Sequence, residues 1–136
     1  MIARTILVCD ASALIDILGG TKAGTDLERR VRLTDHELHT PSVCDVEVVA
    51  TLRRHVLLRK IPIRRAQDLL TDYQDLRLQR HAHTPLLERM LALLQNFTAA
   101  DASYVALCES LGADLLTTDN KLARAALAHA GVRSIA

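Results

Sequence analysis

The sequence predicts an α/β fold, a three-layer α/β/α sandwich around a central, mostly parallel sheet of four to five short strands. Three observations carry this reading. Thr5 to Cys9 and Leu115 to Thr118 are short runs of apolar or β-branched residues without the polar alternation of a half-solvated strand, as expected for strands covered on both faces. Segments with helical spacing separate them, the alternation of a parallel sheet sandwiched by helices. Hydrophobic residues are 49% of the chain, yet it has no Trp, one Phe (Phe97) and two Tyr (Tyr73, Tyr104), so the core must be aliphatic.

The elements follow in order. Thr5 to Cys9 runs into Asp10-Ala11-Ser12, which opens a helix over Ala13 to Leu18 stopped by Gly19-Gly20. Thr25-Asp26 starts a short helix through Val31, and Leu38 to Thr40 gives a brief strand ended by Pro41. Ser42 with Asp45 three residues on fits a capping box, and Val43, Val46, Val49, Ala50 and Leu57 recur at helical spacing in a helix to about Arg59. Ile63 to Tyr73 reads as a helix with Ala66, Leu69, Leu70 and Tyr73 on one side, and Leu76 to Leu78 as a third strand. Pro85 begins a helix through Leu94, and Thr98 caps another through Leu111, closed by Gly112. Leu115 to Thr118 is a strand, Asn120 to Ala130 a helix, and Val132 to Ile135 a final short strand. With no internal repeat or linker, the 136 residues form a single domain, 1–136.

Composition narrows the function classes. Cys9, Cys44 and Cys108 are odd in number, far apart and flanked by apolar residues, so they read as small buried hydrophobes in a reducing cytoplasm. The apolar run at the start ends at Asp10, too short for a signal peptide, and no run reaches the roughly 18 residues of a membrane helix, so a cytoplasmic protein is expected. A net charge of +1, from 17 basic and 16 acidic residues, does not announce a polyanionic partner.

Four acids stand where an apolar segment meets a helix start or within a helix's apolar arc: Asp10, Glu47, Asp101 and Asp119. A carboxylate among apolar neighbours is costly unless protonated, paired or bound to a cation. Asp10, Asp101 and Asp119 each have an ordinary explanation as helix-capping residues, Asp101 through the pattern Thr98-Ala99-Ala100-Asp101. Yet Tyr104, Val105 and Cys108 share the Asp101 stripe, which turns that carboxylate toward the sheet. Glu47 lies inside its helix among Val43, Cys44, Ala50 and Thr51, with Arg53 or Arg54 as its only nearby counter-charges. A doubly wound topology can gather all four at one sheet rim, where ligands bind. Clustered carboxylates call for a hard divalent cation, and oxygen-only ligands favour Mg²⁺ or Mn²⁺, which would activate water and stabilise charge on a phosphate.

The stretches that hold these acids are Val8 to Leu14, Pro41 to Val48, Thr98 to Leu107 and Ala113 to Asp119. Taken together and in this order, they resemble a PIN-domain ribonuclease, specifically a VapC-type toxin of a bacterial toxin–antitoxin pair, over nearly the whole chain. The resemblance implies that Asp10, Glu47, Asp101 and Asp119 form the acidic metal-binding and catalytic set, with Ser12 and Thr118 as polar helpers. It also implies an RNA substrate, a homodimer, and a cognate antitoxin whose tail blocks the acidic site.

Other residues are placed around this set. Asp45 is expected to serve the capping box and Asp114 to begin its strand, both structural, while Asp16 could support the site from its rim. Arg53, Arg54, Arg59, Lys60, Arg64 and Arg65 put six cations in 13 residues without one acid, a candidate RNA-facing or antitoxin-facing patch. His81 and His83 read as surface or loop histidines. An aspartyl-phosphate phosphatase would want a second acid two residues after Asp10, where Ser12 stands, and a phosphate-receiver domain would want an Asp near the end of Leu38 to Pro41, which has none. Neither nucleotide-binding glycine motif occurs. A catalytically silent PIN-like binding module remains the alternative, against which the intact acidic set counts.

Overall fold

A computed structural model describes residues 5–135. Five strands, β1 (Thr5–Cys9), β2 (His36–Pro41), β3 (Leu78–His81), β4 (Asp114–Leu116) and β5 (Ser134–Ile135), form one sheet in the order β3-β2-β1-β4-β5, every pair parallel. Between them lie α1 (Ala11–Gly19), α2 (Lys22–Val31), α3 (Val43–Leu57), α4 (Ile63–Asp75), α5 (Leu87–Ala92), α6 (Ala99–Leu111) and α7 (Asn120–Ala130). Helix α1 packs on α2, α3 and α4, while α6 packs on α5, α7 and the sheet. Leu7, Val8 and Cys9 are all fully buried in succession, which requires cover on both faces of β1. Among the described residues no helix is long and apolar enough to cross a membrane.

The topology decides where a ligand can sit. From β1 the chain builds outward through β2 and β3, then returns to the other side of β1 with β4 and β5. Strand order therefore reverses between β1 and β4, and the crevice beyond their carboxyl ends is the natural site. The β1–β4 ladder pairs Cys9 with Leu116, and Asp10 N donates to Leu116 O at 3.1 Å, so the sheet itself delivers Asp10 to that rim. Its apolar foundation is Leu7, Leu14, Val48, Leu115 and Leu116, each at most 1% exposed. Burial of each such side chain stabilises the fold by roughly 1.5–3 kcal/mol.

Several elements depart from expectation for identifiable reasons. Helix α2 begins at Lys22, not Thr25, because the Thr21 hydroxyl accepts from Gly24 N at 3.1 Å and caps it one turn earlier. Gly24 lets α2 lie on α1, since a Cβ there would come within 1.9 Å of Asp16 O. Strand β3 starts at Leu78 rather than Leu76, and it is an edge strand whose Gln79 and Arg80 are exposed, so it carries no apolar run. The helix expected over Pro85 to Leu94 divides into a 3-10 turn (Thr84–Leu86) and α5, and β4 and β5 are shorter than the runs that suggested them.

Helix α3 brings the largest correction. It buries Cys44, Val48 and Leu52, whereas Val46, Val49 and Leu57 of the proposed apolar stripe are more than half exposed. The helix is apolar on two faces, so periodicity alone could not select the buried one. The capping box at its start does not form. Ser42 donates instead to His81 O at 3.1 Å, and Asp45 accepts from Tyr73 Oη at 2.6 Å and from Arg80 Nε at 2.8 Å. Cys9, Cys44 and Cys108 are free and buried, as expected, and burial pushes the Cys108 thiol up to about 12.

Candidate active site

Asp10 caps α1 and is 5% exposed. One carboxylate oxygen accepts from Ser12 Oγ at 2.7 Å and Ala13 N at 2.9 Å, and the other from the Thr117 hydroxyl. Burial pushes its pKa up to about 6; the bonds from Thr117, Ala13 and Ser12 oppose the rise and the nearby charge of Asp119 adds to it. A carboxyl that holds three hydrogen bonds and still resists ionisation lies in a negative, poorly solvated place.

Asp119 caps α7, accepting from Lys121 N at 3.0 Å and Leu122 N at 3.2 Å, while its own amide donates to Thr117 Oγ1 at 2.9 Å. Thr117 therefore links two of the acids, giving its hydroxyl hydrogen to Asp10 and its lone pair to Asp119 N. Asp101 stands in the first turn of α6, where Thr98 Oγ1 accepts from its amide at 3.2 Å. Burial and then Asp119 push its carboxyl above the usual range, against a bond from Thr98. Glu47, in α3, accepts from Tyr104 Oη at 2.5 Å, so its partner is a phenol from α6 and neither Arg53 nor Arg54. Burial, then Cys44 and Glu47, hold the Tyr104 hydroxyl protonated far beyond its ordinary range.

All four acids line a single open cleft of about 190 Å³, together with Ser12, Thr51, Arg54 and Tyr104. An apolar groove of about 280 Å³ between α3 and α4 is lined by hydrocarbon, and among its described lining residues Arg53 alone is charged, so it offers no acid–base chemistry. Among the described residues no three His, Cys, Asp or Glu side chains close up enough to clasp a metal ion by themselves. The donor set nonetheless suits Mg²⁺ or Mn²⁺: all oxygen, in an open cleft with room for the waters Mg²⁺ retains, and with the negative charge of Asp119 felt by both Asp10 and Asp101. Asp10, Asp101 and Asp119 would hold such an ion, with Glu47 at its edge.

The helper residues are distributed differently from expectation. Ser12 does bond Asp10, but Thr118 Oγ1 donates to Asp16 at 2.7 Å, and the threonine that bonds Asp10 is Thr117. Asp16 also accepts from Thr21 Oγ1 at 3.1 Å, so it ties the loop before α7 to the start of α2 and does not line the cleft. Thr117 and Tyr104 escaped sequence reading because a threonine ending a strand and a tyrosine in an apolar stripe both read as core. A signal existed for Tyr104, three residues after Asp101, since a buried phenol needs a polar partner.

Of the basic residues only Arg54 reaches the cleft. Arg53 borders the α3–α4 groove, Arg59 and Lys60 lie at the turn between those helices, and Arg64 and Arg65 occupy the first turn of α4. Two cations there oppose the helix dipole, so their placement does not serve α4 itself. His81 and His83, read as surface or loop histidines, are half-buried and hydrogen-bonded: His81 ends β3, and His83 does lie in the loop after it.

Comparison with known proteins gives this geometry a lineage. A family profile for the PIN domain matches residues 7–127, a span that contains all four acids. The chain belongs to the PIN-domain family. Among similar curated proteins is Ribonuclease VapC12 of Mycobacterium tuberculosis, 34% identical over 119 residues, 88% of this chain and 91% of the relative. Ribonuclease VapC3 of Pyrobaculum aerophilum is 33% identical over 121 residues, 86% of this chain and 92% of the relative. The PIN fold is also matched by the crystal structure of PAE2754 from Pyrobaculum aerophilum, with a TM-score of 0.70, 23% identity, and coverage of 97% of this chain and 84% of that one.

Proposed function

We propose that this PIN-domain chain is a Mg²⁺- or Mn²⁺-dependent endoribonuclease, the toxin of a type II toxin–antitoxin pair, acting in the cytoplasm. The observation that carries the reading is the convergence of Asp10, Glu47, Asp101 and Asp119 on one cleft beyond β1 and β4, in a chain about one-third identical to VapC ribonucleases. A divalent ion bound there supplies Lewis-acid activation of water and neutralises charge on the scissile phosphate. Asp10, Asp101 and Asp119 hold the charge that attracts it. Ser12, Thr117 and Ala13 N fix the Asp10 carboxylate, so the donor oxygens are preset. Glu47, oriented by Tyr104, is placed to orient the attacking water or take its proton. Among the described residues Arg54 is the cleft's one lining cation, and it suits a phosphate oxygen of the RNA.

The test is cleavage of RNA by pure protein with Mg²⁺, with EDTA, and by Asp10→Asn. Cleavage that survives chelation or the substitution sinks the mechanism. Toxicity on expression, relieved by a small neighbouring reading frame, tests the toxin assignment separately.

Two partner surfaces accompany this reading. The α3–α4 groove presents hydrocarbon from Val49, Leu57 and Ile63 beside Arg53, Arg59, Lys60, Arg64 and Arg65, which fits an antitoxin segment with an apolar face and acidic flanks. The same cations would contact the RNA backbone when the antitoxin is absent. Leu87, Leu91 and Leu94, on and just after α5, are 51%, 70% and 61% exposed and lie away from that basic rim, the face we assign to a second copy in a homodimer.

A further inference from the structure

The end of β3 and the residues just after it hold the start of α3. His81 O accepts from Ser42 N at 2.9 Å and from Ser42 Oγ at 3.1 Å, and Arg80 Nε reaches Asp45 at 2.8 Å. Nε2 of His83 accepts from Val43 N at 3.0 Å. That amide is at the first position of α3, one of the donors a helix leaves without an internal partner, and an N-cap side chain, which serves the second or third amide, does not reach it. Here an imidazole 40 residues further along the chain serves it, while the Ser42 hydroxyl donates to His81 O. A ring nitrogen that accepts carries no hydrogen, so this bond requires the Nδ1–H tautomer of His83. The backbone at His83 is held in turn, since His83 O accepts from Leu86 N at 2.7 Å.

Helix α3 carries Glu47 one turn beyond Val43. We propose that His83 is a positioning residue for the acidic cleft: its neutral imidazole fixes the first turn of α3, and with it Glu47, and protonation of Nε2 releases that turn. The proposal rests on Glu47 being a member of the nuclease site. The titratable and charged groups around the junction are Glu37 and His39 on β2, Arg80 and His81 on β3, Asp45 on α3 and Tyr73 on α4. His39 Nδ1 lies 2.8 Å from His81 Nε2, the two rings stack at 5.0 Å, and His39 Nε2 is 3.3 Å from Glu37. Only one of the two facing nitrogens can carry a hydrogen, and it donates to the other. Burial and then His39 push the His81 pKa down. His83 is thus left as the histidine here whose protonation removes a helix contact.

The experiment follows kcat and KM for RNA cleavage from about pH 5.5 to about pH 8.5, the histidine range. It compares wild type, His83→Phe, which cannot accept, and His83→Gln, whose amide oxygen can; ¹⁵N imidazole spectra of wild type accompany it. The expected result is a fall in kcat of about five- to tenfold for His83→Phe at high pH with little change in KM, the size of a lost helix cap. His83→Gln should recover most of that loss and show a shallower decline on the acid side, and His83 should appear as the Nδ1–H tautomer. Wild-type kcat in His83→Phe, equal impairment of both variants, or an Nε2–H tautomer would overturn the proposal. Should wild type cleave no RNA, the nuclease reading fails by itself. Positioning is then decided by NMR: Glu47 and Tyr104 signals must move in His83→Phe and return in His83→Gln, and unmoved signals refute it.

Discussion

Tyr104 donates its phenol to Glu47 at 2.5 Å and thereby joins α6 to α3 across the mouth of the cleft. Tyr104 is 1% exposed, so its hydroxyl has no alternative in water and Glu47 is its means of satisfaction. Structure and site thus share one bond. Tyr104→Phe should lower kcat about tenfold while costing only about 1 kcal/mol of stability, the net worth of such a bond. Steady-state kinetics beside urea denaturation checks this; unchanged kcat would mean that Glu47 needs no orientation.

Asp10 gives a pH dependence of definite sign. Its pKa is about 6 in the folded chain against an ordinary value of 3.8. Between these values the folded protein keeps a proton that the unfolded chain has released, so stability falls as pH rises through that window and stays lower above it. Asp10→Asn should therefore abolish cleavage yet raise stability near pH 7 by about 1–3 kcal/mol without divalent ions, and near pH 4 by much less. Denaturation curves at both pH values, repeated with Mn²⁺, provide the measurement. The ion should narrow the difference by favouring ionised Asp10. A variant destabilised equally at both pH values contradicts this picture.

The cations should separate into two kinds. Arg54 lines the cleft, so Arg54→Ala is expected to reduce kcat by about tenfold or more. Replacing Arg64 and Arg65 by Ala should mainly raise KM and flatten its dependence on salt by about one phosphate contact each. Helix stability should not suffer, because both sit where the α4 dipole disfavours them. If the double variant keeps the wild-type salt slope, the patch does not face RNA.

Gly24 tests the framework beneath the site. A Cβ there would lie 1.9 Å from Asp16 O, against backbone that cannot swing aside, so Gly24→Ala should cost roughly 2–4 kcal/mol. Displacing α2 also strains the Thr21–Asp16–Thr118 chain, and activity should drop at temperatures where the protein is still folded. A thermal melt equal to wild type would show that α1 and α2 are free to slide apart.

The surface assigned to a second copy is checked by mass. Leu91→Asp places a charge at the centre of the exposed α5 face, where Leu91 is 70% exposed, so it should leave the monomer folded. Light scattering should report a dimer for wild type and a monomer for the variant. A wild-type monomer at about 100 μM would remove the dimer from the proposal.

The sheet, its helices and the gathering of four acids were legible in the sequence because they depend on periodicity and on costly placements of charge. Asp10 and Asp119 follow strands, and Asp101 shares a stripe with Tyr104; each pattern is local. What stayed hidden depends on partners far along the chain. Asp45 looks like a cap for Ser42 until β3 and α4 deliver Arg80 and Tyr73. His83 looks like a loop histidine until the β2–β3 pairing brings it to α3. The resemblance points to Thr118 as a helper, yet it is the hydroxyl of its neighbour Thr117 that turns toward Asp10. The buried face of α3 is hidden from sequence because the exposed Val46, Val49 and Leu57 are as apolar as the residues that it buries.

The most direct measurement is the rate of RNA cleavage against Mg²⁺ concentration for wild type and for Asp10→Asn, Glu47→Gln, Asp101→Asn and Asp119→Asn, each shown to be folded by its thermal melt. One shared cation site predicts that Asp10, Asp101 and Asp119 variants lose about 100-fold or more in rate and need higher Mg²⁺, while Glu47→Gln loses rate with its Mg²⁺ requirement less altered. Variants with the wild-type rate and the wild-type Mg²⁺ curve would contradict it.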